Sequence, residues 1–136
     1  MMRVQNFNIG EAVYQALANN EAVAAYVGSR IFPLVAPEGT EFPYIVYSRL
    51  SVATARDKDS FFYQQDVMET VVICTETYKE GVDISMAVGA AMQFGEREFN
   101  TSAGTIRVME STYDSGTEDY VNNTFVQGAV YHLKVR

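Results

Sequence analysis

The chain holds one histidine and one cysteine, so acid–base or nucleophilic chemistry would have to centre on His132, Cys74 or a carboxylate. His132 sits between Tyr131 and Leu133, which share the core-facing parity of an alternating segment. Its ring is therefore expected on the opposite face, beside Val130 and Lys134. A histidine there could serve as a general base. The sequence offers it no nucleophile elbow or triad spacing, and a strand-surface histidine is the plainer reading. Cys74 ends the apolar run Val71-Val72-Ile73-Cys74, where a thiol packs as a small hydrophobe.

Two acidic groups have the residue types of a site. Asp57-Lys58-Asp59 could contribute to a divalent-cation site. It lacks the glycine and the distal glutamate of a calcium loop, and Lys58 opposes a cation, so a solvated turn is expected. Asp114, Glu118 and Asp119 are expected in a polar turn around Gly116, without the enclosing cleft that raises a carboxyl pKa for acid–base work. Neither phosphate-cradling pattern, G-x-x-x-x-G-K-[ST] or G-x-G-x-x-G, is present. No catalytic, cofactor-binding or metal-binding residue is assigned, and no cofactor is expected. Phe61-Phe62-Tyr63 follow the polar turn at 56–60. They can be core plugs of a hairpin, or exposed anchors for a protein partner.

The elements that would position these groups follow from length, charge and periodicity. At 136 residues the chain is expected to form one domain over 1–136. Ten basic residues against 17 acidic ones give a net charge of −7. Such a balance disfavours duplex DNA, whose affinity comes from phosphate neutralisation. One cysteine excludes an internal disulfide. No segment approaches the ~20 apolar residues of a spanning helix, and the N-terminal residues do not read as a signal peptide. The chain is expected to fold in a cytoplasm, with the sequons at Asn100 and Asn122 arising by chance.

Residues 9–19 carry Ile9, Ala12, Val13, Ala16 and Leu17 at helical spacing. Asn8 is the expected N-cap, with Glu11 closing a capping box. Asn20 caps a second helix over 21–27, and Gly28 ends it. Residues 30–34 read as a short edge strand stopped by Pro33. Residues 44–54 and 65–77 read as strands paired across the polar turn. Residues 79–94 switch to helical period, through Ile84, Val88, Ala91 and Met92. Strands follow at 103–113 and 125–135. The expected fold class is α+β, in the order α-α-β-β-β-α-β-β. N-terminal helices precede a mainly antiparallel sheet, with one helix packed across it.

The run Val27-Gly28-Ser29-Arg30-Ile31-Phe32-Pro33, then Pro37, then Phe42-Pro43-Tyr44-Ile45-Val46-Tyr47, resembles the phage tail-completion, or tail-terminator, family. The likeness is sharpest over 20–50 and extends through the helix at 79–94 to the closing strand. It implies a non-enzymatic virion protein of a phage or prophage tail, assembled in the host cytoplasm. It further implies a homo-oligomeric ring, a hexamer, that ends the tail tube and joins it to the head-side connector. The tail tube protein and the connector protein are the implied partners, with no specific nucleic-acid binding and no membrane. A ring needs one contact repeated between copies. The expected contact is Arg56, Asp57, Lys58, Asp59, Phe61 and Phe62, together with the exposed sheet edge. Two other readings stay open at this point: a different head–tail joining or minor tail protein, and a small α+β enzyme or ligand-binding domain.

Overall fold

A computed structural model describes residues 6–56 and 63–136. Three helices lie against one face of a six-stranded sheet. The first helix, α1, spans Ile9–Ala18 and buries Ile9, Ala12, Val13, Ala16 and Leu17, the residues of its predicted stripe. Its start differs from the expected capping box. Asn8 makes no side-chain cap; its amide donates instead to the Thr101 hydroxyl, 2.8 Å away. Glu11 accepts from the backbone N–H and the hydroxyl of Ser102. Both side chains tie α1 to a distant turn, and a long-range partner has displaced the local one.

Helix α2, Glu21–Val27, follows the sequence reading. Val23 N–H donates to the Asn20 carboxamide, and Gly28 closes the helix at φ 59°. Strand β1, Ile31–Pro33, pairs with β2, Tyr44–Arg56, in parallel. Arg30 explains why the two halves of the proline-rich motif belong together. Its Nε donates to the Pro43 carbonyl at 2.8 Å, and the Ile45 N–H donates to the Arg30 carbonyl. The arginine clasps the start of β2 against the exit from α2, which sets the parallel register.

Strand β3, Tyr63–Thr75, pairs antiparallel with β2 from Arg56↔Tyr63 to Tyr44↔Cys74, as expected. Helix α3, Tyr78–Met92, is capped by the Thr77 hydroxyl and buries Gly81, Ile84, Val88, Ala91 and Met92. It lies across β3 and β6, the position its period predicts.

The last third departs from the expected order. A further strand, β4, Arg97–Thr101, precedes β5, Gly104–Val121, and β6, Thr124–Val135. The order is therefore α-α-β-β-β-α-β-β-β. Only Phe99 of β4 is buried, so the strand carries too little alternation to be read. Strand β5 runs well beyond the expected end at 113. Its turn is Asn122-Asn123, with φ of 52° and 60°. A two-residue hairpin turn with both residues at positive φ matches the strand twist, and asparagine is among the side chains that adopt it. Gly116 lies inside β5, opposite Ala129. The sheet order is β1-β2-β3-β6-β5-β4, antiparallel except for β1 with β2. The core lies between the helices and the helix-facing parity of the strands, including Ile45, Val67, Val71, Ile73, Tyr131, Leu133 and Val135.

Candidate assembly interface

His132, the first chemical candidate, is half-buried on the sheet face away from the helices. Its Nε2 lies 2.8 Å from an Asp66 carboxylate oxygen. The antiparallel register brings the two together, with Met68 opposite His132 and Asp66 opposite Lys134. No hydroxyl or thiol among the described residues bonds the other ring nitrogen, so the pair has no nucleophile to activate. Cys74 is buried, and burial pushes its thiol above the ordinary range, away from the reactive thiolate. No group of three or more metal-ligating side chains converges among the described residues.

The acidic residues Asp114, Glu118 and Asp119 lie along β5 rather than in a turn. Glu118 accepts from Gln127 Nε2 at 3.0 Å and from the Tyr78 hydroxyl at 2.9 Å; these bonds hold its carboxyl below the ordinary range. The bonds fasten the outer half of the β5–β6 hairpin to the start of α3. Of the expected contact residues, Arg56 ends β2 with its backbone opposite Tyr63. Asp57, Lys58, Asp59, Phe61 and Phe62 lie outside the described residues.

Two surfaces stand open. Strand β4 covers the outer edge of β5 only from Gly104 to Val108, and Phe94 bridges Ser111. From Thr112 to Val121 that edge has no strand partner among the described residues. A second edge belongs to β2, which among the described residues β1 covers only at Ile45, Val46 and Tyr47. Exposed edges of this length present a row of backbone donors and acceptors to another chain. Beside the β5 edge lies a groove of about 380 Å³. Ser85 and Gly89 of α3, Tyr113 and Gly116 of β5, and Gly128 and Tyr131 of β6 line it, and the Tyr113 hydroxyl lies over Gly116.

The sequence reading missed Glu69. It is 1 % exposed, and neither carboxylate oxygen has a hydrogen-bond partner among the described residues. Burial raises its pKa to about 7, against the lowering effect of Arg49. Arg49 faces it across the ladder, but its guanidinium donates to the Phe7 carbonyl and lies over the Phe7 ring. The signal was parity: Val67, Glu69, Val71 and Ile73 alternate onto one face, so the only acid in that row points into the core.

Comparison with known proteins fits this absence of assembled chemistry. The fold matches a chain of the "Virion of native gene transfer agent (GTA) particle", with a TM-score of 0.73 at 19 % identity over 90 % of each chain. No curated protein matches. Residues 11–127 match the family described as "Tail completion protein gp17". A match running from α1 into β6 takes in all three helices and both open edges, and the chain belongs to this family: it is a non-enzymatic structural protein of a phage tail.

Proposed function

We propose that the chain closes into a ring of identical copies, a hexamer, on the end of the tail tube and joins the tube to the head-side connector. Membership of the tail completion family over residues 11–127 carries this reading. The open edges of β2 and β5 support it. They are different surfaces on opposite sides of one sheet, and a contact between different surfaces repeats head to tail until it closes. The fold's likeness to a chain of a gene transfer agent virion is consistent with a place in a tailed particle. The segment from Arg56 to Phe62 is proposed as part of the contact, with Phe61 and Phe62 supplying its apolar centre.

The test adds the chain to polymerising tail tube protein and follows tube length. A terminating ring arrests growth at one end, so length stops increasing once copies exceed tube ends. Tubes that grow unchanged contradict the reading. Replacing Phe61 and Phe62 together with serine should abolish arrest while leaving the melting temperature nearly unchanged. An unfolded variant would place the two aromatics in the core instead.

A further inference from the structure

We infer that neighbouring copies join edge to edge: residues 112–121 of β5 in one copy add as an antiparallel strand to residues 48–56 of β2 in the next, and the two sheets merge. The inference rests on the ring reading and names the joint that the reading leaves open. The Ile45 N–H donates to the Arg30 carbonyl, and the Tyr47 carbonyl accepts from the Leu34 N–H, so both residues turn their peptide groups away from β3. Their ladder partners are Ile73 and Val71. Continuing by twos along β3, Glu69, Val67 and Gln65 lie opposite Arg49, Val52 and Thr54. These three residues therefore turn their N–H and C=O groups outward as well, where no strand meets them among the described residues. On β5, Val121 and Thr124 close the two-residue turn as a bonded pair. Alternation then turns Tyr120, Glu118 and Gly116 outward. The Tyr120 N–H accordingly donates to the Asp119 carboxylate, 2.7 Å away, and not to a strand.

Direction, charge and stagger make the occupant a second copy. The three ladders that lead from β2 to β5 are all antiparallel, so β2 and β5 run opposite ways. A neighbour that continues the sheet with its helices on the same side brings its β5 antiparallel to β2. Residues 44–56 carry two arginines and no acid, whereas 112–121 carry Asp114, Glu118 and Asp119 and no base. Strand β1 occupies the edge of β2 from Ile45 to Tyr47, so the end of the neighbour's β5 fits beside Ser48. Ser48 is level with Thr70, while Val121 is level with a point one residue past Thr75. The neighbour is thus displaced along the strands by about six residues, or ~20 Å at ~3.3 Å per residue. Six strands at ~4.8 Å span ~29 Å. A ring that closes without climbing then inclines its strands by ~35° to its axis, at the lower end of the ~35–45° found in closed sheets. Bulges at Leu50 and Asp114 put a bend in each joining strand, the device by which sheets curve.

Amide hydrogen exchange in the full chain tests this, comparing free copies with copies assembled on tail tubes, while electron microscopy reports ring closure. The amides of Arg49, Val52, Thr54, Gly116 and Glu118 should slow by roughly a hundredfold or more on assembly. The Ile45 amide, already bonded to Arg30, should be unchanged. Thr54→Pro removes one outward donor at an edge position, where proline is tolerated. Ring formation should fall at least tenfold with the melting temperature nearly unchanged; if that variant unfolds, exchange in the unmodified chain decides. A closed ring whose edge amides exchange as in free copies overturns the joint and leaves the ring reading standing. Slowing at one edge alone overturns the pairing of β5 with β2. Slowed amides at both edges in open fibres support the joint and overturn closure. Neither assembly nor slowing overturns both.

Discussion

Glu69→Gln should make the protein more stable at pH 8 and leave it nearly unchanged at pH 4.5. In the folded chain the carboxyl is buried without a hydrogen-bond partner among the described residues, and its pKa rises from 4.5 to about 7. Below pH 4.5 the group is protonated in both folded and unfolded chains and contributes nothing. Between pH 4.5 and about 7 the unfolded chain releases the proton and the folded chain keeps it, so stability falls as pH rises. Above about 7 the penalty is complete. At about 1.4 kcal/mol per tenfold change in proton affinity it amounts to about 3 kcal/mol, or roughly 10 °C in melting temperature for a chain of this size. Glutamine keeps the shape and removes the charge. The assay is urea unfolding of both proteins at pH 4.5, 6 and 8, reading the difference between them so that all other titrations cancel. A variant less stable than the parent at pH 8 would refute the reasoning. That result would mean that Arg49 has turned from the Phe7 carbonyl onto Glu69 and paired the charge, which reverses the sign.

Ile84→Ala removes a fully buried side chain where α3 meets the sheet and should cost about 2–5 kcal/mol, measured by denaturant unfolding. Asn122→Val forces a β-branched residue to φ 52° and should cost about 1–2 kcal/mol, whereas Asn123→Gly should be neutral or slightly stabilising; both are read from melting curves. His132→Ala and Cys74→Ala should leave tube-growth arrest intact, since neither residue has a catalytic partner; for His132→Ala the loss of a half-exposed pair with Asp66 should cost no more than about 1 kcal/mol.

The helices and the central strands were legible because a single signal dominated each. The stripe of Ile9, Ala12, Val13, Ala16 and Leu17 and the period switch near residue 78 both report burial against one sheet face. The end of the chain was harder to read for a physical reason. Residues 113–123 are exposed throughout, so β5 carries no inside–outside alternation there, and its acids and Gly116 resemble a turn. The turn is marked only by Asn122-Asn123, whose meaning depends on both residues adopting positive φ. The capping box at Asn8 failed because Thr101 and Ser102, some ninety residues away, compete for the same side chains. That competition arises only once β4 is placed. The groove was invisible for a similar reason. Its glycines, Gly89, Gly116 and Gly128, come from three elements that only the topology brings together. Glu69 could have been found, because its parity with Val67 and Val71 was in plain view.

Electron microscopy of tail tubes assembled with this chain tests the central claim most directly. The account predicts one closed ring of copies on one end of each tube. Copies spread along the tube wall, or tube ends that stay bare at saturating protein, would contradict it.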